Sequence, residues 1–237
     1  MLKVNIVGVL FFSLFFTAHA TTWGSFEQKA EQFLKKHVAD GKVNYTAIKK
    51  SPKELNELIK IIGTTKLSES KNERMSFYIN AYNILVIKGI VNHYPVEGPL
   101  SIDGFFDGEQ YQVAGERMTL NDLENKKIRV YKDARIHFAL VCAAISCPAL
   151  TSSAYTSKTL STHLQRQTEK ALNDDNFIRV KSQSKAVYVS EIFKWYKEDF
   201  GTSDAALLRY INQYRRVKIP SSYELKYYPY SWKLNKK

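Results

Sequence analysis

The sequence predicts a single mixed α+β domain, in which helices pack on a short, mostly antiparallel sheet of four or five strands. Helical periodicity recurs in several segments, the longest near residues 68–93. Short apolar runs bounded by turn residues lie between these segments and favour strands. The 237 residues contain no internal repeat, low-complexity linker or second domain boundary. One domain is therefore expected.

The first 20 residues have the pattern of an export signal. Lys3 supplies a positive charge, residues 6–16 are apolar, and Ala18-His19-Ala20 fits a small-x-small cleavage site. The apolar run is shorter than the roughly 20 residues of a spanning helix, so no stable transmembrane span is expected after cleavage. These features predict a signal peptide at 1–20 and an exported protein, periplasmic or secreted. Residues 21–237 then form the domain, with a helical extension at about 21–41.

Three amphipathic helices are predicted in the first hundred residues. Their apolar residues recur at helical spacing, and Ser51-Pro52 is typical of a helix start. The predicted helices cover residues 26–38, 52–62 and 68–93.

Two asparagines, Asn80 and Asn83, interrupt the apolar stripe of the third helix. They lie three residues apart and share one helix face. Two interpretations remain open. Either one is exposed and the other caps a neighbouring loop, or both face the sheet and hold polar groups around a site.

The remaining elements follow from caps, turns and short apolar runs. Thr119 favours a helix start, and the polar turn at 181–185 separates two strands of a predicted hairpin. We expect a strand at 111–114, helices at 120–129, 156–172, 191–196 and 205–214, hairpin strands at 177–180 and 186–189, and an extended aromatic tail at 227–235.

The two cysteines of the chain, Cys142 and Cys147, lie in one stretch with His137. Residues 136–141 are apolar and predict a short buried strand. On a regular strand His137 and Cys142, five positions apart, point to opposite faces. His137 can meet Cys147 more easily, because the intervening loop can fold back.

This stretch suggests thiol chemistry. If Cys147 caps a helix that begins at Pro148, the positive helix end lowers the pKa of its thiol. Cys147, or Cys142 in its place, is then the nucleophile of a hydrolase or acyl transferase, and His137 is the base. Asn80, Asn83 or Glu191 could supply the group that orients His137.

The alternative is a protein without catalysis. Two cysteines in an exported protein are most simply a disulfide, and a histidine in an apolar strand is commonly a satisfied core group. Removal of residues 1–20 takes away one lysine, so the formal charge falls only from +12 to +11. The protein would then be an envelope binding module. Its basic surface and an aromatic groove around Trp195, Tyr196 and Trp232 would hold a peptide or an anionic envelope component.

Other classes of site are not expected. One histidine and two cysteines provide three metal ligands with no fourth nearby, and no phosphate- or dinucleotide-binding fingerprint is present, so neither metal nor cofactor is predicted. The lysines are scattered and match no nucleic-acid motif. Glu198 and Asp199 are adjacent on a predicted helix, where neighbours do not face each other, so a solvated face is expected there.

Five stretches, taken together and in order, resemble the DUF547 domain family. They are FYINAYN (77–83), VAG…LNDLE…R (113–129), RIHFALVCAAISCP (135–148), SEIFKWYKEDF (190–200) and YPYSWKLN (228–235). The resemblance covers the chain from about Lys42 onward. It implies a domain found in exported bacterial proteins, without a settled reaction. Asn125 stands where the family often has a histidine, whereas the core of one histidine and two cysteines is intact. The order of elements is also similar to papain-like and transglutaminase-like thiol enzymes, a likeness of fold alone.

Overall fold

The computed structural model describes residues 20–237, with side chains from residue 26 onward. The predicted signal peptide lies outside the described residues, apart from Ala20, where the first helix begins. No helix in this part of the chain is both long enough and apolar enough to cross a membrane. A mixed α+β fold is confirmed.

The N-terminal half is built around one long buried helix, α4. Phe77, Tyr82 and most other side chains along its length are buried, which makes α4 a core helix rather than an amphipathic surface one. Phe26 of α1 packs on Phe77 with 5.2 Å between ring centroids. The three predicted helices of this half are confirmed, although the first begins at residue 20 and not at residue 26, and a short helix lies between the first and the second. The bounds are α1 Ala20–His37, α2 Tyr45–Lys50, α3 Lys53–Thr64 and α4 Lys71–His93.

The strands form three small sheets in the described residues, where one sheet of four or five strands was expected. Each strand has two to five residues and pairs mainly with its neighbour in sequence, so no central sheet develops. The pairs are β1 Val38–Ala39 with β2 Lys42–Val43, and β3 Gln110–Val113 with β4 Glu116–Thr119. In the third sheet β6 Ala186–Ser190 pairs antiparallel with β5 Ile178–Lys181 and parallel with β7 Glu224–Tyr228. The predicted hairpin and the strand near residue 111 are confirmed.

The predicted strand at 136–141 is wrong. Asp133 caps a 3-10 helix, Ala134–Phe138, by accepting a hydrogen bond from the Arg135 N–H at 3.1 Å. The segment lies between two hydrophobic cores, with Ile136 in the core around α4 and Phe138 in the core around β5 and β6. Burial on both sides makes the run apolar, and such a run cannot be told from a strand by periodicity.

The predicted helix at 120–129 has an unusual geometry. Thr119 caps it as expected, accepting from the Asp122 N–H at 3.1 Å. The α-helical turn α5, Leu120–Asp122, then widens into a π-helix, Leu123–Ile128, and closes as a 3-10 turn, Arg129–Tyr131. Segments of π-helix are rare and frequently lie at functional sites.

Four more helices follow in the described part of the chain, which also has a 3-10 turn at Pro99–Ser101. The helix expected from residue 156 begins later, and Ser203 caps the last helix by accepting from the Ala206 N–H at 3.2 Å. The bounds are α6 Leu160–Leu172, α7 Ile192–Trp195, α8 Lys197–Phe200 and α9 Asp204–Tyr214.

The aromatic tail docks in an extended conformation, as its sequence predicts. Asn235 is buried, and its backbone accepts from the Val43 N–H and donates to the Ala143 carbonyl, both at 2.9 Å. The Tyr45 hydroxyl donates to Asn235 Oδ1 at 2.7 Å. The tail therefore joins β2 to the segment that carries the cysteines.

We predict that Tyr45→Phe lowers the free energy of unfolding by about 1–3 kcal/mol, because it leaves the buried Asn235 Oδ1 without its donor. Urea unfolding measures the change. Tyr94→Phe is the matched control: the Tyr94 hydroxyl bonds to Thr46 in an exposed position, so its loss should change stability by less than about 0.5 kcal/mol. Equal effects of the two variants would contradict the prediction.

Candidate functional site

A cavity of about 260 Å³ lies where the five stretches singled out in the sequence meet. It is bounded by α4, the π-helix, the segment that carries the cysteines, α7 and the tail. Aromatic rings form most of its wall, and the polar groups are few, as in many small-molecule sites. The lining residues are Tyr82, Phe106, Asn121, Glu124, His137, Leu140, Cys142, Cys147, Ile192, Trp195, Tyr196, Tyr230 and Trp232.

The two cysteines form a disulfide in the wall of this cavity, with their Cα atoms 6.5 Å apart. The Tyr230 hydroxyl lies 3.1 Å from Cys142 Sγ and 2.9 Å from Cys147 Sγ. The backbone N–H of Cys142 also donates to Cys147 Sγ at 3.1 Å. Cys147 Sγ therefore has two hydrogen-bond donors around it, whereas Cys142 Sγ has one.

The expected helix start at Cys147-Pro148 is wrong. The Cys147 N–H donates to the Ala144 carbonyl at 3.2 Å in a turn, and no helix follows Pro148 until α6. The chain reverses at Ala143, whose φ is +63°, and the Ile145 N–H donates to the Lys233 carbonyl of the tail. Backbone contacts with the tail thus fix the loop between the cysteines.

His137 lies in the same wall and is oriented by Asp199. Its Nε2 is 2.7 Å from Asp199 Oδ2, which with an ionised aspartate assigns the ring proton to Nε2. The ring packs against Tyr196 in a tilted arrangement, with 4.0 Å between centroids. The same oxygen, Asp199 Oδ2, also accepts from Arg129 Nε at 2.8 Å, and Arg129 Nη1 donates to Asn125 Oδ1 at 2.6 Å.

Burial and hydrogen bonding together set the charges of His137 and Asp199. Burial lowers the pKa of His137 to about 4, against the opposing effect of Asp199, so the imidazole is neutral at neutral pH. Burial raises the pKa of Asp199, but hydrogen bonds from Arg129 and His137 outweigh it and leave that pKa below its ordinary value. The result is a neutral imidazole held by an ionised, cation-paired carboxylate.

A solvated face was expected for Asp199, and this is wrong. Its carboxylate bonds to Arg129 and His137 instead. The pattern that could have identified it is the placement of a carboxylate among aromatic residues. Tyr196 and Phe200, on either side of it in sequence, both contact the His137 ring. A carboxylate between two such rings is drawn toward the core, where it needs a partner.

The two asparagines of α4 both face inward and bind backbone. Asn83 Nδ2 donates to the Ala139 carbonyl, and Asn83 Oδ1 accepts from the Val141 N–H, each at 2.9 Å. Asn80 makes the same pair of bonds to the carbonyl and N–H of Tyr155, at 2.7 and 2.9 Å. Neither amide bonds to His137, so both hold the segments that shape the site instead of orienting the imidazole.

Glu191 likewise makes no hydrogen bond to His137 in the described part of the chain. Its Oε2 accepts from the Tyr230 N–H at 3.0 Å. The contact fixes the backbone of the residue whose hydroxyl lies against both sulfur atoms. Glu191 therefore supports the sulfur side of the cavity.

Glu124, which the sequence analysis did not select as a site residue, is the one glutamate of the cavity wall. It is 7% exposed and receives hydrogen bonds from the Tyr196 and Tyr82 side chains. Burial raises its pKa, and these bonds oppose the rise without cancelling it. Thr119 and the LNDLE pattern indicated a helix start, but they did not indicate that the Glu124 carboxyl is buried.

No group of three or more His, Cys, Asp or Glu within residues 20–237 is arranged to hold a metal ion.

Comparison with known proteins identifies one family. The family model described as "Protein of unknown function, DUF547" matches residues 66–171. That range includes both asparagines of α4, Glu124, His137 and the two cysteines. No curated protein and no solved structure gives a significant match.

We predict that the stability of the protein falls in acid because of His137. In the unfolded chain a histidine binds its proton below about pH 6.5, whereas folded His137 does so only near pH 4. The stability is therefore fully present above pH 6.5 and is lost as the pH falls toward 4, by about 3 kcal/mol from this group. Urea unfolding at pH 7 and pH 4 measures the loss.

The matched variant for this experiment is His137→Gln, which keeps a side-chain donor near Asp199 but does not titrate. Its free energy of unfolding should fall by about 3 kcal/mol less over the same interval. Parallel losses in the wild type and the variant would contradict the assignment to His137.

We predict that Asn83→Ala lowers the free energy of unfolding by about 2–4 kcal/mol, because the Ala139 carbonyl and the Val141 N–H both lose a buried partner. Chemical unfolding measures the change. Asn56→Ala is the control, since the Asn56 amide only accepts from Lys88 at an exposed site on α3. If Asn83→Ala proved as mild as the control, the amide would not be what holds the 139–141 backbone.

Proposed function

The chain carries a DUF547 domain at residues 66–171, and we propose that its cavity is the active site of an exported thiol-dependent hydrolase or acyl transferase. One observation carries the proposal: both sulfur atoms share a cavity wall with His137, whose imidazole is fixed by Asp199. A thiol, a neutral imidazole and a carboxylate that orients it are the parts that thiol acyl transfer requires.

Cys147 is the better nucleophile of the pair. After reduction its sulfur keeps two nearby donors, the Cys142 N–H and the Tyr230 hydroxyl. Hydrogen bonds to the charged form favour it, so these donors stabilise the thiolate of reduced Cys147. The sulfur of Cys142 has only the shared hydroxyl. These two donors replace the helix end that was expected to stabilise the thiolate.

His137 is the base. With Nε2 bonded to Asp199, the ring nitrogen that remains for a proton is Nδ1, which makes no hydrogen bond among the described residues. The imidazole is neutral at neutral pH and can accept the thiol proton at once. Asp199 then stabilises the imidazolium that forms.

The reaction follows from these roles. The Cys147 proton passes to His137 Nδ1, and the sulfur forms a bond to the acyl carbon of the substrate. The bond from that carbon to the leaving group breaks, and the leaving group departs with a proton. Water, or an amine or alcohol acceptor, then attacks the thioester and releases the thiol. The cycle requires a reduced cysteine pair, so a dithiol reductant must first open the disulfide.

A second function uses the same cavity for binding alone. The Trp195 and Trp232 rings stack with 5.6 Å between centroids, and Trp195 is 45% exposed. With the disulfide kept as a structural link, these rings and the basic surface would hold a peptide or an anionic envelope component. The disulfide between Cys142 and Cys147 is the feature that favours this alternative.

We predict that the reduced protein contains one fast-reacting thiol, at Cys147. The intact mass, measured with and without reductant, first detects the disulfide, because its reduction adds two hydrogen atoms. Iodoacetamide labelling at pH 6 should then proceed at least about tenfold faster in the folded protein than in the urea-unfolded chain, because the two donors in the folded protein stabilise the thiolate.

Two serine variants identify which cysteine is labelled rapidly. Cys142→Ser should keep the fast reaction, and Cys147→Ser should lose it. Asp199→Asn should leave the labelling of Cys147 largely intact, since iodoacetamide needs only the thiolate, but should abolish acyl transfer from p-nitrophenyl acetate. Labelling no faster than in the unfolded chain would overturn the thiol proposal and favour the binding module.

A further inference from the structure

Glu124 is a buried carboxyl group without a cation of its own. It lines the cavity, is 7% exposed, and forms no ion pair in the described part of the chain. The nearest guanidinium, that of Arg129, is already bonded to Asp199 and Asn125. Burying an unpaired charge is costly, so burial raises the pKa of Glu124 and shifts the group toward the neutral acid.

The surroundings of Glu124 are suited to both of its protonation states. The aromatic wall favours the neutral acid, whereas the Tyr196 and Tyr82 side chains bond to the carboxyl group and can stabilise the anion. The other charged groups that act on it are Arg129, which favours the anion, and Asp199, which opposes it. A carboxyl balanced in this way can release a proton and regain it.

A purely structural role explains this arrangement poorly. A glutamine would make similar hydrogen bonds with the two tyrosines at no electrostatic cost. Glu124 also lies on the π-helical segment Leu123–Ile128, a geometry that occurs often at functional sites. Tyr196, one of its partners, packs on His137, so the acid and the histidine share an aromatic neighbour.

We propose that Glu124 is a further catalytic residue of the cavity, a neutral carboxylic acid that protonates the leaving group of the substrate. The inference rests on the proposed thiol chemistry and deepens it. As the Cys147 sulfur forms its bond to the acyl carbon, the bond from that carbon to nitrogen or oxygen breaks. The Glu124 proton passes to the departing atom, and the carboxylate that remains keeps its bonds to Tyr82 and Tyr196.

The proton balance closes over one cycle. His137 holds the thiol proton after the first step, and Glu124 is ionised. Water then adds its hydroxide to the thioester carbon, and its proton goes to Glu124. The thiolate that leaves regains the proton held by His137. Acyl compound and water have become acid and protonated leaving group, and the protein is unchanged.

A proton donor defines a class of substrate. A nitrophenolate departs as a stable anion and needs no acid, whereas an amide nitrogen or an alkoxide cannot leave without one. Glu124 therefore assigns the cavity to amides or alkyl esters. An amide of a peptide fits this chemistry.

The test compares two leaving groups on the same acyl group. With the reduced full-length chain, Glu124→Gln should hydrolyse p-nitrophenyl acetate within about twofold of the wild-type rate. Its rate on 2,2,2-trifluoroethyl acetate, whose alkoxide is a poor leaving group, should fall by about 100-fold. In the wild type this second rate should also decline as the pH rises through the raised pKa of Glu124, and the variant should lack that decline.

Control variants separate the possible outcomes. Glu27→Gln replaces another glutamate whose pKa burial raises, but at a different cavity, and should leave both rates unchanged. If Glu124→Gln fails to fold, Tyr82→Phe takes its place. Loss of that donor raises the pKa of Glu124 further and should move the decline to higher pH. Equal effects of Glu124→Gln on both esters, or no effect on either, would overturn the inference alone. Absence of any Cys147-dependent turnover of p-nitrophenyl acetate in the wild type would overturn the proposed function, and the inference with it.

Discussion

The structure of the site depends on one contact, the pairing of the Asn83 amide with the backbone on both sides of Leu140. Residues 139–141 are buried in the core around α4 and belong to no helix or strand. Buried N–H and carbonyl groups need partners, and here a side chain of α4 supplies them. Asn80 does the same for Tyr155. Because α4 is buried along most of its length, these amides are rigidly placed, and His137 and Cys142 take their positions from them.

Arg129 and Asp199, the paired charges next to the cavity, are not among the residues that line it. Arg129 and Asp199 neutralise each other, and Asp199 in turn holds a neutral imidazole. Glu124, which has no such partner, is driven by burial toward its neutral form. Glu124 is the one acidic or basic side chain other than His137 among the residues that line the cavity, in a chain whose formal charge is +12. In such surroundings a hydrogen bond from Tyr82, Tyr196 or Tyr230 acts more strongly than it would in water.

Local patterns in the sequence predict much of the fold and a part of the site. The helix α4, the hairpin of β5 and β6 and the Thr119 cap were predictable, because each depends on residues close together in the chain. The 3-10 helix at Ala134–Phe138 was not, since burial between two cores removes the alternation that would distinguish it. Asp199 was missed because its partner His137 is 62 residues away. Glu124 was missed because its burial depends on Tyr82 and Tyr196, which belong to other elements. β7 was not predicted, because its pairing with β6 joins segments far apart in sequence.

The docking of the tail has a kinetic consequence. The bond between Tyr45 and Asn235 joins residues 190 positions apart, and closing so long a loop costs entropy before any contact compensates for it. Contacts of this range form slowly and late in folding. Tyr230 and Trp232 belong to the same docked segment, so the cavity is completed late, whereas the cysteines, five positions apart, can meet early. The sulfur atoms are thus accessible to oxidants and reductants during folding, and the Tyr230 hydroxyl covers them once the tail has docked.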